Sequence, residues 1–164
     1  MSFIQSIQKR DPADPSVFEI ILSYPGFHIM TLFHPLASLL WHLKLRALAR
    51  FWAHIGRLLT GIEIHPQAYI GKNCFIDHGM GVVIGQTSVI GDNCLIYQGV
   101  TLGGKGWDDK RRHPVIGNNV MIGAHAQIIG PIRIGDSAHI GAGAVVLHDV
   151  AMGDTVAGNP AKIV

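Results

Sequence analysis

Residues 116–152 read IGNNVMIGAHAQIIGPIRIGDSAHIGAGAVVLHDVAM, with an apolar side chain at every sixth position: Ile116, Ile122, Ile128, Ile134, Ile140, Val146 and Met152. Four residues after each stands a second small or apolar side chain: Val120, Ala126, Ile132, Ala138, Ala144, Val150 and Val156. Glycine often follows the first position directly, as at Gly117, Gly123, Gly135, Gly141 and Gly153. A period of six fits neither the helical 3.6 nor simple strand alternation. It fits one flat side of a three-sided coil, a short strand followed by a turn. The first apolar residue points into a narrow prism, and the second faces inward where nothing bulky fits. The glycines serve turns that need φ > 0 or close backbone approach. No single coil buries its own face, so the coils must stack.

The pattern extends upstream. It starts at Ile64, Ile70 and Ile76, resumes two residues late at Ile84, Ile90, Ile96 and Leu102, and then meets a longer insertion. The second inward position continues as Ala68, Cys74, Ser88, Cys94 and Val100. Fourteen hexads at three per coil make nearly five coils. The expected fold is mainly β, a parallel β-helix over residues 62–164 with an extended loop at 104–115, preceded by a helical segment over 1–61. Cys74 and Cys94 share the same inward position one coil apart, so they are expected to stack as reduced core side chains.

At 164 residues the chain matches one domain with a real core. A net charge of +2 predicts no nucleic-acid footprint. The start MSFIQSIQKRD lacks a signal-peptide shape, which suggests a cytoplasmic protein. In the first 60 residues, Asp11-Pro12 and Asp14-Pro15 each offer a helix start. Helices are expected at Ser16–Tyr24 and Phe27–Phe33 with a break at Pro25-Gly26, then as one long helix from Pro35 to Gly61. That helix carries Trp41, Leu45, Leu48, Phe51, Trp52, Ile55, Leu58 and Leu59 on one broad face, and Arg46, Arg50 and Arg57 on the other. Leu43 and Lys44 do not fit this division. The apolar stretch Phe27–Trp41 is too short for a membrane span and contains His28, His34 and Pro35, so a buried or intersubunit helix is expected, with no membrane partner.

Function is expected where the repeat breaks, since an uninterrupted coil needs no insertion. One break lies in Ile76-Asp77-His78-Gly79-Met80-Gly81-Val82-Val83, and the other is the loop GKGWDDKRRHPV at 104–115. His78 and His113 each sit in a break. Glu63 precedes His78 by fifteen residues, three short of a full turn, so its carboxylate is placed to reach the imidazole one coil on. A carboxylate that orients a histidine makes a general-base pair. A turn histidine is more often merely solvated, and ten histidines make one carboxylate neighbour unsurprising.

Several stretches resemble the serine O-acetyltransferase family, within the hexapeptide-repeat acyltransferase superfamily. They are Arg10-Asp11-Pro12-Ala13, Tyr24-Pro25-Gly26-Phe27-His28, Gly61 to Pro66, Ile76 to Gly85, Gly99 to Gly104, Arg112-His113-Pro114 and Ala157 to Ala161. The resemblance runs in order along nearly the whole chain. It implies a left-handed parallel β-helix, a homotrimer, and sites in the clefts between adjacent prisms. It implies transfer of acetyl from acetyl-CoA to the hydroxyl of L-serine, giving O-acetylserine and CoA, the first step of cysteine biosynthesis. His78 matches the family's general base and Glu63 the carboxylate paired to it. Asp11, Asp77, Arg112 and His113 match positions that hold the amino acid. Gly104, Lys105, Ala124 and Ala142 match positions that line the acetyl-CoA arm.

The side chains suit those roles. Asp11 and Asp77 fit an ammonium, and Arg112 fits a carboxylate in a two-pronged contact. No serine or cysteine nucleophile is placed for a covalent intermediate, so direct transfer is expected. Lys105, Lys110 and Arg111 suit the phosphates of CoA or, equally, a solvated loop with Asp108 and Asp109. Gln86 departs from the glutamate the family often has after Ile84-Gly85. Longer family members carry extra helices that join two trimers, so a lone trimer is expected here. The flexible tail ending in Ile that docks cysteine synthase is absent, so that partner is not expected. The rivals are a β-helix acetyltransferase for a sugar, an antibiotic or another amino acid, a zinc hydratase of the γ-carbonic anhydrase type, and a non-catalytic scaffold. The hydratase needs converging imidazoles, and His78, His113, His125 and His139 show no paired spacing, so no metal is expected.

Overall fold

The computed structural model describes residues 2–106 and 111–164. Three parallel sheets form the sides of a prism. The first face stacks Glu63–Ile64, Val83–Ile84, Thr101–Gly103, Gln127–Ile129 and Val145–Val146. The second stacks Tyr69–Ile70, Val89–Ile90, Val115–Ile116 and Arg133–Ile134. The third stacks Phe75–Ile76, Leu95–Ile96, Met121–Ile122, His139–Ile140 and Thr155–Ala157, with Lys162–Ile163 added antiparallel at its edge. Each strand is only two or three residues long, so stability comes from stacking one coil on the next.

The inward residues form one continuous core, from Ile64 through Ile84, Leu102 and Ile128 to Val146, with the small second positions filling between them. Cys74 and Cys94 are free thiols buried one above the other, with Phe75 N–H donating to the Cys94 carbonyl. Met152 departs from its expected place and is 75% exposed. The last coil is two residues short. Val150 therefore lies over Ile134 and Val156 over Ile140, taking the inward position assigned to Met152. The glycine that follows each aliphatic serves close coil-to-coil approach. At Gly91 an added Cβ would strike the Gly117 carbonyl on the next coil. The left-handed turn position at the corner between second and third faces is filled instead by Asn73, Asn93, Asn119 and Ser137, with φ between 55° and 59°.

The helical segment differs from expectation in four places. An unexpected helix α1 spans Phe3–Arg10, with Ser2 and Gln5 forming a capping box, so Asp11 ends a helix rather than starting one. Helix α2, Val17–Ser23, is capped by Ser16 and Glu19, while Asp14 takes a left-handed φ of 49°. Pro25 starts α3, Pro25–His28, instead of breaking it, and a π-helical turn at Ile29–Phe33 leads straight into α4, His34–His42. The long helix breaks at Lys44, φ 63°, so α5 begins at Arg46 and ends at Thr60, with Gly61 (φ 72°) as its cap.

Ile29 and Phe33 pack against Ile62 and Ile64 and close one end of the prism. The broad apolar face of α5 is divided. Trp52 and Ile55 pack on this core, while Leu48, Phe51, Leu58 and Leu59 face outward. Among the described residues no helix is long and apolar enough to cross a membrane.

Candidate active site

The two-residue slip after Ile76 creates the surroundings of His78. It adds an extra turn at the corner between third and first faces, in which Gly79 N–H donates to the Asp77 carbonyl at 2.7 Å. His78 takes a left-handed φ of 57° there, a conformation uncommon for a residue with a Cβ. The turn holds the imidazole outside the regular coil, exposed. Asp77 stands beside it, half-buried. Burial pushes the Asp77 carboxyl above the usual range, opposed by the charge of His78 and reinforced by that of Asp11.

Asp11 reaches this corner from the end of α1. Arg10 anchors it there by donating to the carbonyls of Asn73, Asn93 and Cys94 on the coil and to Ser6 on its own helix. The Tyr24 hydroxyl donates to Asp11 Oδ2 at 2.7 Å. Asp11, Tyr24 and Asp77 thus form an acidic cluster next to His78. Ala124 and Ala142 occupy equivalent turns of later coils at the same corner, joined by the bond from Gly143 N–H to the Ala124 carbonyl.

The corner between first and second faces carries the basic residues. The loop leaves after Gly103 and its base closes with Lys105 N–H on the Arg112 carbonyl at 3.1 Å. Gly104, Lys105, Arg112 and His113 line one open recess. His113 is buried over Gly85, where a Cβ would overlap the imidazole. Thr87 fixes this group. Its Oγ1 accepts from the N–H groups of Arg112 and His113, each at 3.2 Å, and contacts His113 Nδ1 at 2.8 Å. Thr87 N–H also donates to Nδ1 at 3.2 Å, which leaves the His113 proton on Nε2. Burial, with Arg112 adding to it, lowers the His113 pKa and so favours the neutral ring.

Glu63 lies on the first face between these corners, and its Oε2 is 2.9 Å from Arg57 Nη1. Among the described residues no side chain hydrogen-bonds the His78 ring, so the expected Glu63–His78 contact is not made here. Gln86 donates to Gln67 Oε1 at 2.9 Å. Asp108, Asp109 and Lys110 lie outside the described residues, and Arg111 is exposed. Among the described residues no three His, Cys, Asp or Glu side chains gather as a metal site.

One chain therefore brings His78, Asp77 and Asp11 together, and separately Gly104, Lys105, Arg112 and His113. It does not join the two groups, which occupy opposite edges of the first face. Tyr24 and Thr87 were not singled out from sequence. Tyr24 lies within a matched stretch, whereas Thr87 acts across 26 residues and leaves no local signal.

Residues 113–154 match the family model for bacterial transferase hexapeptide (six repeats). A serine acetyltransferase of Synechococcus elongatus is 51% identical over 158 residues, which cover 96% of this chain and 64% of that protein. The chain therefore spans just under two-thirds of that relative's length. The serine acetyltransferase of Helicobacter pylori is 47% identical over 161 residues, covering 98% of this chain and 94% of that protein. Among solved structures, soybean serine acetyltransferase complexed with serine superposes with a TM-score of 0.94 at 45% identity, covering 98% of this chain and 66% of that one. The Brucella abortus enzyme in complex with coenzyme A superposes at 0.95 and 40% identity, covering 99% and 64%. Identity at this level across almost the full length of one relative and most of the others places this chain in the serine acetyltransferase family.

Proposed function

We propose that the protein is a serine O-acetyltransferase that moves acetyl from acetyl-CoA to the hydroxyl of L-serine, releasing O-acetylserine and CoA. The observation that carries this reading is the pair of carboxylates, Asp11 and Asp77, beside an exposed histidine held in a left-handed turn. The carboxylates suit an ammonium, and the histidine suits the neighbouring hydroxyl. The soybean relative solved with serine and the Brucella relative solved with coenzyme A support the two substrates.

In this mechanism His78 removes the hydroxyl proton as the oxygen attacks the thioester carbonyl, and its imidazolium then protonates the leaving thiolate. Transfer is direct, with no acyl-enzyme. Glu63 orients and stabilises the imidazolium once it leaves Arg57. Arg112 takes the serine carboxylate, joined by the Nε2–H of His113. Gly104 and Lys105 meet the CoA arm, which lies along the small residues Ala124 and Ala142.

Because the acidic and basic groups sit on opposite edges of one face, we assign the complete site to the cleft between two copies, one giving the His78 edge and the next the Arg112 edge. Three such clefts close a homotrimer. The experiment is thiol release from acetyl-CoA with L-serine, beside His78→Ala. Serine-dependent release that falls by about 10²–10⁴ fold in the variant is expected. Release only with a different acceptor would move the substrate, and release unaffected by the substitution would remove His78 as the base.

A further inference from the structure

Tyr24 has no part in the mechanism above, yet it bonds a carboxylate of the acidic cluster. Asp11 Oδ2 accepts from the Tyr24 hydroxyl at 2.7 Å, and Oδ1 accepts from Ala13 N–H at 2.9 Å. Each carboxylate oxygen thus has one protein donor. The Tyr24 ring stacks on Phe75 with centroids 6.5 Å apart. Phe75 is 1% exposed in the first coil, so the phenol is referenced to the prism itself. On the other side, Arg10 fixes the backbone of Asp11 by its bonds to Asn73, Asn93 and Cys94 and by lying 5.5 Å over the same Phe75 ring. Asp11 is therefore clamped twice, through its backbone by Arg10 and through its carboxylate by Tyr24.

The clamp matters because two carboxylates converge here. Like charges side by side disfavour ionisation of both, and a donor on one relieves that. Burial, with Asp11 as hydrogen-bond and charge partner, raises the Tyr24 phenol to about 12, so it remains a donor at neutral pH.

We propose that Tyr24 is a positioning residue that aims Asp11 at the ammonium of the acceptor, and so sets the preference for amino acids over hydroxy acids lacking that ammonium. This rests on the serine acetyltransferase reading and extends it to a residue outside the substrate contacts. The competing role is a staple between α1 and α3, which would affect stability but treat all acceptors alike.

Tyr24→Phe keeps the ring and its stack and removes only the donor. Hydrogen bonds to charged groups are worth about 1.5–3 kcal/mol, so the KM for L-serine should rise about tenfold or more. The kcat and the KM for acetyl-CoA should stay within about twofold of the parent, with Tm as the check on folding. The preference for L-serine over 3-hydroxypropanoate, measured by thiol release, should shrink. A double variant with Asp11→Asn should be no worse than Asp11→Asn alone, because both changes act on one carboxylate. Unchanged serine KM, equal losses on both acceptors, or additive losses in the double variant would overturn the positioning role. A parent protein that does not acetylate serine would overturn the reading beneath it, and that is seen before any variant is made.

Discussion

Arg57 Nη1 lies 2.9 Å from Glu63 Oε2, with both side chains about half exposed. The bond ties the carboxylate to α5. Arg50 and His54 of the same helix, and His65 of the same coil, line the recess around it. An exposed pair of this kind contributes at most about 1 kcal/mol, so Glu63 is readily released. Glu63→Gln should lower kcat at least about tenfold, by analogy with removing the carboxylate that orients a catalytic histidine. Arg57→Gln should instead leave kcat unchanged or raise it by up to about fivefold, the equivalent of 1 kcal/mol. Parallel kcat measurements decide. An equal fall in both variants would mean that the ion pair, and not the free carboxylate, supports the reaction.

The separation of His78 from Arg112 across the first face gives a test of assembly. His78→Ala and Arg112→Ala should each be nearly inactive alone. Co-expressed in equal amounts, they should assemble clefts in which one copy supplies an intact His78 and the next an intact Arg112. Random mixing around a closed ring regenerates about one cleft in four, so roughly a quarter of the parent activity should return. No recovery from verified mixed oligomers would place both groups of one site in a single chain.

A buried histidine, His34, and a half-buried one, His65, predict acid sensitivity. Burial lowers His34 to about 4, and His65 is lowered to about 4 by burial and then by Arg50. Both values lie below the ordinary 6.5 of the unfolded chain. The native state thus binds fewer protons than the unfolded state in the acid range, and stability falls as pH drops. The loss should begin near pH 6.5 and level off near 4. Between pH 6.5 and 5, before most carboxylates titrate, His34 alone should cost on the order of 2 kcal/mol. Urea unfolding across that window should show the slope, and His34→Leu should flatten much of it. A slope identical in the variant would exclude His34 as its source.

The coil was legible because burial imposes a strict rule on it. Ile76, Ile84, Ile90 and Ile96 must each face the same narrow interior, and any one of them exposed would leave a gap in the stack. The break after Ile76 was equally legible, since a missed beat in a strict period marks an inserted turn. Met152 was misassigned because Val150 and Val156 also continue the second inward series, so a coil shortened by two residues still shows an apolar side chain at every expected beat. The helical segment obeyed weaker rules. The stop at Lys44 comes from a left-handed backbone that helical periodicity does not encode. The outward rows of α5 carry leucines all the same, so apolarity alone did not tell Trp52 from Phe51. The clamp on Asp11 and the Thr87 support of His113 are bonds between segments 13 and 26 residues apart. Distances of that kind depend on how turns aim side chains, which a repeat pattern leaves open.

The reversed strand Lys162–Ile163 bears on how separate molecules remain separate. A parallel coil has two complementary ends, each a row of unpaired peptide groups that would accept another coil, and identical chains stacked end to end would grow into a filament. Here the first end is filled by Ile29 and Phe33 of the helical segment. At the other end Ile163 runs antiparallel against Val156, and Val145 exchanges hydrogen bonds with Gly158 and Ala161. A strand of opposite direction presents the wrong hydrogen-bond register for a further parallel coil. These residues therefore oppose the addition of a further parallel coil at that end.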